Sequence, residues 1–412
     1  MKVHPILAEN VVVALYNIFS DNRKADKVLQ QLLRSNPRWG SRDRGFIAEN
    51  TYEIVRWYRL LHFLNGSPIE DHTPVTLWRL LGIRLKMMGF ELPEMKEFKG
   101  INIQKINERM IEANKIRKIK ESIPDWLDEV GEQELGDKWP EYIHSLNKPA
   151  PIGIRANTLK ISRKELIQVM KAENVDAVLA KGVEDGLIIF ERKNIFTTNA
   201  FKSGLFEVQD IGSQMIGEFL EITPGMRIID ACAGAGGKSL HLACRMENKG
   251  RIISMDVEEW KLTELKRRAA RDDAHNIETR LIEAKTIKRL KDSADAVLLD
   301  VPCTGLGVLR RNPDAKWKIR PEFLDEVKKE QAEILSRYAS MVKPSGQLVY
   351  ATCSILPSEN EYQVTKFLEA NKEFTLVKEK RTHPATENCD GFYMALMKRT
   401  NSSPNAPLNE AD

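Results

Sequence analysis

The amino-acid sequence predicts an α/β fold. A mostly parallel sheet wound on both faces by helices is expected over residues 206–400, preceded by a small α/β subdomain over 122–205 and an all-helical domain over 1–121. From about residue 206, short apolar β-rich runs alternate with helix-length segments, as they do in parallel sheets. Before residue 121, apolar side chains instead recur every three or four positions, which is the spacing of helices. A chain of 412 residues has room for two or three such domains.

The individual elements follow from the same patterns. The helical periodicity is clear between Ile47 and Leu61. The small subdomain is predicted to contain strands over 152–157 and 187–190, with a helix near 162–172 between them. Five strands of the main sheet are predicted at Arg227–Asp230, Arg251–Val257, Arg280–Glu283, Ala296–Asp300 and Gln347–Thr352. The polar segment 401–412 is predicted to be disordered.

Composition restricts the class of protein and its compartment. Hydrophobic residues make up 42% of the chain, and no apolar run approaches the roughly 20 residues that cross a bilayer. No secretion signal is recognisable, so we expect a cytoplasmic protein without a membrane partner. The cysteines lack CxxC spacing, which argues against a disulfide framework and a zinc site, so we expect free thiols and no metal. The five cysteines are Cys232, Cys244, Cys303, Cys353 and Cys389.

Charge is nearly balanced over the whole chain, since 63 basic and 59 acidic residues leave a net charge of +4. The strongest local cluster is RRNPDAKWKIR over 310–320, in which Arg310, Arg311 and Lys316 surround Trp317. Basic groups neutralise phosphates and an indole stacks on bases, so this segment is a candidate nucleic-acid contact. A solvated charged loop is the alternative interpretation of the same residues.

The first predicted strand of the main sheet ends in a glycine-rich turn, DACAGAGGKS over 230–239. Its three glycines allow the backbone to approach a ligand at a helix N-terminus. A phosphate-binding NTPase loop would need glycine where this chain has Cys232, and a nicotinamide fingerprint fits only marginally at Ser239. The turn by itself is therefore compatible with any nucleotide-like ligand.

Asp256 ends the second strand about twenty residues after this turn, where a carboxylate can accept hydrogen bonds from ribose hydroxyls. S-adenosylmethionine and NAD both contain that ribose, so Asp256 does not separate them. A helix cap ahead of Glu258 is the alternative role for the same side chain.

Two cysteines lie at the carboxyl ends of predicted neighbouring strands. The fourth strand runs into Asp300-Val-Pro-Cys303, and the fifth runs into Ala351-Thr-Cys353. A lone cysteine is usually a small hydrophobic core residue. Two cysteines at adjacent strand ends, beside the ligand edge of the sheet, instead indicate chemistry.

Three stretches together resemble the Sun (Fmu)-type RNA cytosine-C5 methyltransferases, especially those of bacterial ribosomal RNA. They are DACAGAGGKS over 230–239, DVPCTGLGVLRRNPDAKW over 300–317 and ATCSILPSENE over 351–361. Weaker matches are RANTLK over 155–160, FEVQDIGSQ over 206–214 and DGFYMALMK over 390–398. The N-terminal region, with DRGFIAENTYEIVRWYR over 43–59, resembles a NusB-like RNA-binding domain.

This resemblance implies a Rossmann-like class I methyltransferase domain with a seven-stranded sheet, and it implies catalytic roles. In this family the TCS cysteine, here Cys353, adds to cytosine C6, because a thiolate is the strong nucleophile that raises the electron density at C5. The PC cysteine, here Cys303, serves the release of the product. Asp300 is then placed to bind the N3/N4 edge of the base, and Lys238 lies near cofactor and base, with solvation of a helix start as its alternative role.

The resemblance also implies S-adenosylmethionine as the cofactor and names its contacts. These are Cys232, Ala233, Gly234, Ala235, Gly236, Gly237, Lys238, Asp256, Lys261 and Asp300. The family usually has proline where this chain has Ala235, which loosens the turn. The family also usually offers an aspartate to the adenine amine, and Glu283 is the nearest acid here.

Several classes remain as alternatives. The expected substrate is small-subunit (16S) ribosomal RNA, bound by a monomer, with transfer RNA as a second possibility. A non-catalytic RNA-binding assembly factor of the same fold would not need both cysteines. A DNA cytosine methyltransferase would use the PC cysteine, Cys303, as nucleophile and would not need Cys353. An NAD oxidoreductase would need a hydride-transfer constellation that the sequence lacks.

Overall fold

A computed structural model describes residues 3–191 and 193–401. The chain divides into two compact units. Of the described residues, the helical unit comprises 3–148 together with 309–321, and the sheet unit comprises the rest, within 149–308 and 322–401. The predicted disorder of 401–412 falls on residues that, apart from 401, lie outside the described part of the chain.

The helical unit is built around apolar faces of its helices. Its first nine helices are α1 (Pro5–Phe19), α2 (Ala25–Ser35), α3 (Ser41–Arg56), α4 (Tyr58–Asn65), α5 (Pro74–Met87), α6 (Ile103–Ala113), α7 (Arg117–Lys120), α8 (Asp125–Leu135) and α9 (Trp139–Leu146). Proline at the first position of α1 and α5 suits a helix start, because the amide hydrogen missing there has no intrahelical acceptor anyway. Leu15, Ile54 and Leu80 are fully buried in one shared core, as the periodicity predicts.

The helical unit extends past the predicted domain boundary at residue 121. Arg59 donates a hydrogen bond to the carbonyl oxygen of Ile123 at 2.7 Å, and the Leu60 amide donates to Ser122 Oγ at 3.3 Å. These contacts join the start of the next segment to α4. The compact unit accordingly ends at residue 148.

The first part of the sheet unit is a four-stranded antiparallel sheet with strand order β2-β3-β1-β4. Its elements are β1 (Ile152–Ala156), α10 (Arg163–Ala172), β2 (Val178–Leu179), β3 (Gly186–Ile189), α11 (Asn199–Lys202) and β4 (Phe206–Val208). Ser162 caps α10 in a reciprocal arrangement with Glu165, which explains why the helix begins where the sequence predicted it.

The main sheet has seven strands in the order β10-β11-β9-β8-β5-β6-β7, and β5 to β9 are parallel. Its elements are α12 (Ile211–Phe219), β5 (Arg227–Asp230), α13 (Gly237–Arg245), β6 (Arg251–Asp256), α14 (Glu259–Asp272), β7 (Ile277–Leu281), α15 (Thr286–Arg289), β8 (Ala294–Asp300), α16 (Ala315–Lys318), α17 (Pro321–Tyr338), β9 (Val342–Thr352), α18 (Glu361–Ala370), β10 (Phe374–Arg381) and β11 (Tyr393–Arg399). The predicted mostly parallel, seven-stranded sheet is confirmed.

Alternate side chains of each central strand enter different cores, so both faces of the sheet are covered. Ile228 and Leu298 belong to one core, whereas their neighbours Ile229 and Leu299 belong to the other.

The bounds of one predicted strand were misplaced. The strand expected over 280–283 is β7, which pairs in register with β6 and ends at Leu281. No helix within the described ranges is long and apolar enough to span a membrane.

The short segment 309–321, including α16, belongs to the helical unit although it follows β8 in the chain. Asp314 accepts a hydrogen bond from the backbone amide of Ala25 at 3.0 Å, and Trp317 Nε1 donates to the Val55 carbonyl oxygen at 2.7 Å. These contacts anchor the segment on α2 and α3.

Candidate active site

The carboxyl ends of the parallel strands bring the predicted site residues to one edge of the main sheet. The turn after β5 leads into α13 with Gly236 at a φ of +89°, in the left-handed region that favours glycine. A Cβ at Gly236 would also lie 2.4 Å from Leu265 Cγ. The turn is held from outside by Arg268, which donates to the Ala235 carbonyl oxygen at 2.7 Å. Its geometry therefore requires a residue without a side chain at 236.

Asp256 lies at the end of β6 and organises the opposite side of the turn. One carboxylate oxygen accepts from the Gly234 amide at 2.9 Å, and the other accepts from the Glu258 amide at 2.9 Å. Lys261 Nζ lies 3.6 Å from the same carboxylate. Each carboxylate oxygen has further lone-pair capacity, so Asp256 can fix the turn and still accept a ligand hydroxyl.

A cavity of about 420 Å³ opens beside Asp256. Among the predicted cofactor residues, Cys232, Asp256 and Lys261 line it, and burial raises the pKa of the Cys232 thiol well above its usual range. Glu283 is not among the lining residues, and its neighbour Ile282 is. The full lining is Ala231, Cys232, Asp256, Val257, Glu258, Lys261, Ile282, Pro302, Glu330, Glu333, Ile334, Arg337 and Tyr338.

One face of α17 forms a wall of this cavity, and no sequence motif indicated it. Glu330, Glu333, Ile334 and Arg337 are spaced by three and four residues, so they share one side of the helix. That spacing was readable in the sequence. It does not distinguish a helix face that lines a ligand cavity from one that meets solvent or a core.

Asp230, the last residue of β5, is fully buried beneath the turn. One carboxylate oxygen accepts from Ser239 Oγ at 2.6 Å, and the other has no hydrogen-bond partner. Burial, only partly offset by the Ser239 hydrogen bond, raises the pKa of Asp230 to about 6. This carboxyl group supports the turn from below.

Lys238 and Asp300 form an ion pair between the first turn of α13 and the end of β8. Burial alone would lower the pKa of Lys238, but the adjacent Asp300 carboxylate outweighs burial, so the Lys238 pKa is raised. Lys238 therefore remains a cation and holds Asp300 at the edge of the sheet. The structure thus brings Lys238 and Asp300 together at this edge, and their roles in a site stay a prediction.

The sulfur atoms of Cys303 and Cys353 lie 3.2 Å apart. The register of β8 and β9, which pairs Asp300 with Ala351, explains this proximity, because Cys303 lies three residues after Asp300 and Cys353 two residues after Ala351. The hydrogen bond to Cys353, reinforced by burial, raises the pKa of Cys303 well above its usual range. Cys303 therefore keeps its proton at neutral pH.

The candidate RNA-binding residues belong to the helical unit. Lys316 is 1% exposed inside the helical unit, where its Nζ donates to the Arg56 carbonyl oxygen at 2.8 Å and to Asn147 Oδ1 at 3.2 Å. Arg310 is also buried, whereas Arg311 and Trp317 are partly exposed. RNA contact by these four residues stays a prediction, and the position of Lys316 favours a structural role for that side chain.

Two family models match the chain. The model described as 16S rRNA methyltransferase RsmB/F matches residues 218–398, and the ferredoxin-like domain model of the RsmF/B-like methyltransferases matches residues 123–195. Together they match more than half of the chain. The second model starts near the predicted boundary at 122, although the compact helical unit continues to 148.

Individual proteins agree with these models. Ribosomal RNA small subunit methyltransferase B of Vibrio vulnificus is 31% identical over 284 residues, which are 66% of this chain and 66% of that protein. A probable methyltransferase of the same name from Synechocystis sp. is 29% identical over 91% of this chain and 94% of its own length. The crystal structure of PH0851 is 25% identical, with a TM-score of 0.82 over 97% of this chain and 100% of that one.

Proposed function

Because this chain belongs to the 16S rRNA methyltransferase RsmB/F family, we propose that it transfers a methyl group from S-adenosylmethionine to C5 of a cytosine in 16S ribosomal RNA. The observation that carries the proposal is the pair of sulfur atoms of Cys303 and Cys353, 3.2 Å apart at neighbouring strand ends. The Lys238–Asp300 ion pair lies at the same edge of the sheet.

The chemistry of cytosine explains why two thiols are needed. Cytosine C5 is a poor nucleophile until a thiolate adds at C6, and that thiolate must later leave. The raised pKa of Cys303 disfavours that sulfur as the attacking thiolate, so we assign the addition at C6 to Cys353. After methyl transfer the C5 proton must be removed before the bond between Cys353 and C6 can break. Cys303 lies beside the adduct and serves this step: once its own proton has passed to solvent, its thiolate accepts the C5 proton, and the electrons of the C5–H bond expel the Cys353 thiolate. Asp300, held by Lys238, is available to bind the N3/N4 edge of the base.

The cavity beside Asp256 suits S-adenosylmethionine in charge. Its lining contains four acidic residues, Asp256, Glu258, Glu330 and Glu333, and two basic ones, Lys261 and Arg337, so it favours a cationic ligand. Asp256 would accept the ribose hydroxyls, and the backbone of the turn around Gly234 would approach the rest of the cofactor. When bound, the cofactor supplies an electrophilic methyl group on a sulfonium.

Two substitutions test the assignment of the cysteines. Incubated with 16S ribosomal RNA and S-adenosylmethionine, Cys303→Ala should accumulate a covalent protein–RNA adduct, because the release step is blocked after addition at C6. Cys353→Ala should form no adduct and should lose methylation by several orders of magnitude, because the nucleophile is absent. Denaturing gel electrophoresis detects the adduct, and labelled methyl transfer measures product. The reverse pattern would contradict the proposed roles.

The choice of RNA is tested with the same assay. Transfer RNA and 16S ribosomal RNA are compared as substrates for the wild-type protein, and the modified cytosine is mapped by bisulfite sequencing. We expect methylation of 16S ribosomal RNA, and modification of transfer RNA alone would overturn that choice.

We also propose a cytoplasmic location, since the described cysteines are free thiols that depend on a reducing compartment.

A further inference from the structure

Glu359 is a buried carboxylate close to both cysteines, and the proposed mechanism gives it no role. It is 0% exposed and lies in the turn that follows Cys353, before α18. Within the described ranges no lysine, arginine or histidine forms an ion pair with it. A buried carboxylate without a cationic partner is costly unless hydrogen bonds replace its hydration. The position of Glu359 therefore needs an explanation.

Four donors converge on this carboxylate, three from the two cysteine loops and one from Gln331 on α17. Oε1 accepts from the Thr304 amide at 2.8 Å and from Gln331 Nε2 at 3.0 Å. Oε2 accepts from Thr304 Oγ1 at 2.6 Å and from Ser354 Oγ. Thr304 is the residue after Cys303, and Ser354 is the residue after Cys353. The carboxylate thus links the two positions that directly follow the two thiols.

Only a carboxylate satisfies this set of donors. It accepts hydrogen bonds at about four lone-pair sites and donates none, whereas a side-chain amide would turn two N–H groups toward donors that need acceptors. Gln331 extends the same network, because its Nε2 also donates to the Pro302 carbonyl oxygen at 2.9 Å. Pro302 and Thr304 flank Cys303, so the loop is held on both sides of its sulfur.

We propose that Glu359 is a positioning residue, whose carboxylate ties the loop of Cys303 to the loop of Cys353 and holds the two thiols at the separation that their chemistry requires. Its negative charge also contributes, after the Cys353 hydrogen bond and burial, to the raised pKa of Cys303. The expected effect of Glu359 on turnover rests on the proposed methyl transfer. Its expected effect on the separation of the two thiols does not.

The kinetic test compares full-length Glu359→Gln with Glu369→Gln, which removes the same charge from an exposed position on α18. Loss of alignment of about an ångström lowers turnover about 100-fold, so we expect a kcat reduction of that order in Glu359→Gln. The KM for S-adenosylmethionine should change by less than about twofold, because Glu359 does not line the cofactor cavity and its loss removes no binding contact. Glu369→Gln should behave as the wild type.

The geometric test uses phenylarsine oxide, a trivalent arsenical that binds two thiols only when they lie close together. Glu359→Gln should bind it on the order of tenfold more weakly than the wild type, because looser loops lower the effective concentration of one thiol near the other. Cys353→Ala supplies the baseline without the pair. This measurement needs no RNA, so it stands even if the wild-type protein methylates no RNA and the proposed function fails.

Melting temperatures separate positioning from folding. If Glu359→Gln is folded and retains both wild-type turnover and wild-type arsenical affinity, the proposal is overturned. If Glu359→Gln does not fold, Ser354→Ala and Thr304→Val take the place of Glu359→Gln in the test, because each of them removes a single hydroxyl donor. Smaller losses of arsenical affinity in both would support the proposal, and unchanged affinity in both would refute it.

Discussion

At the scale of single residues, Asp230 is the clearest case of a charge in an unfavourable place. Its carboxyl group is fully buried, one of its oxygens has no partner, and its pKa is raised from 3.8 to about 6. When a carboxyl group binds its proton more tightly in the folded than in the unfolded state, the folded protein loses stability as the pH rises. The loss begins above about pH 4 and is complete above about pH 6.

Asp230→Asn should therefore be more stable than the wild type at neutral pH. The amide keeps an oxygen acceptor for Ser239 and cannot ionise, so the advantage should be on the order of 3 kcal/mol at pH 7 and should largely vanish at pH 4. Calorimetric melting of both proteins between pH 4 and pH 7 measures the difference. If the difference in melting temperature between the two proteins stays the same from pH 4 to pH 7, Asp230 does not carry a raised pKa.

The sequence located many of the residues of this edge but not how they interact. Lys238 and Asp300 follow from the resemblance, whereas their ion pair depends on α13 and β8 meeting at the edge of the sheet. The 3.2 Å separation of Cys303 and Cys353 likewise depends on strand register. Glu359 lies in the stretch 351–361 that carries the resemblance, but its role could not be read from the sequence, because its partners Thr304 and Gln331 are distant in the chain.

At the scale of elements, close backbone approach keeps the cysteine loops together. The Gly307 amide donates to the Cys353 carbonyl oxygen at 2.9 Å, and the Gly391 amide donates to the Gly307 carbonyl oxygen at 2.9 Å. A Cβ on Gly307 would lie 1.9 Å from the Gly391 carbonyl oxygen and 2.8 Å from that of Cys353. These neighbours are backbone atoms, which cannot move aside as a flexible side chain can.

Gly307→Ala should accordingly push the two loops apart. We expect a destabilisation of about 3 kcal/mol or more and loss of methyl transfer, since overpacking against backbone shifts whole segments. Gly45→Ala is the matched control, because a Cβ at this position within α3 would have no neighbouring atom within 4 Å. Alanine there should stabilise the helix by about 0.5–1 kcal/mol. Equal melting temperatures for the two variants would contradict the steric argument.

At the scale of the whole molecule, the segment 309–321 folds with the helical unit while its flanking residues belong to the sheet unit. Trp317 packs with the helical core and Asp314 binds the start of α2. The loop that carries Cys303 is thus continuous in sequence with a segment anchored in the helical unit. The basic segment 310–320, which is predicted to contact nucleic acid, therefore also packs as part of the helical unit.

A fragment of residues 1–148 lacks the segment 309–321, which packs in the same unit, and should be less stable without it. A synthetic peptide of residues 309–321 added in trans should raise its melting temperature in a concentration-dependent way, because ligand binding to the folded state stabilises it. Peptides carrying Trp317→Ala or Asp314→Ala should give smaller shifts. If the fragment folds and the unchanged peptide has no effect, 309–321 is not an integral part of the helical unit.

Local pattern and resemblance were sufficient for the sheet class, the glycine-rich turn, Asp256 and the two cysteines at strand ends. Strand periodicity and turn chemistry act between residues that are near in sequence, so they can be read without a structure. Strand bounds such as those of β7 were less accurate, because the pairing partner determines where a strand ends.

Tertiary structure alone decided that Lys316 is buried, that one face of α17 lines the cavity beside Asp256, and that Glu359 joins the two cysteine loops. A basic run has the same composition whether it meets solvent, RNA or a core, and a helix face has the same spacing in each case. What separates these outcomes is the set of atoms brought against each side chain from distant parts of the chain. The sequence by itself thus determined which chemical groups are present, and packing determined which of them meet.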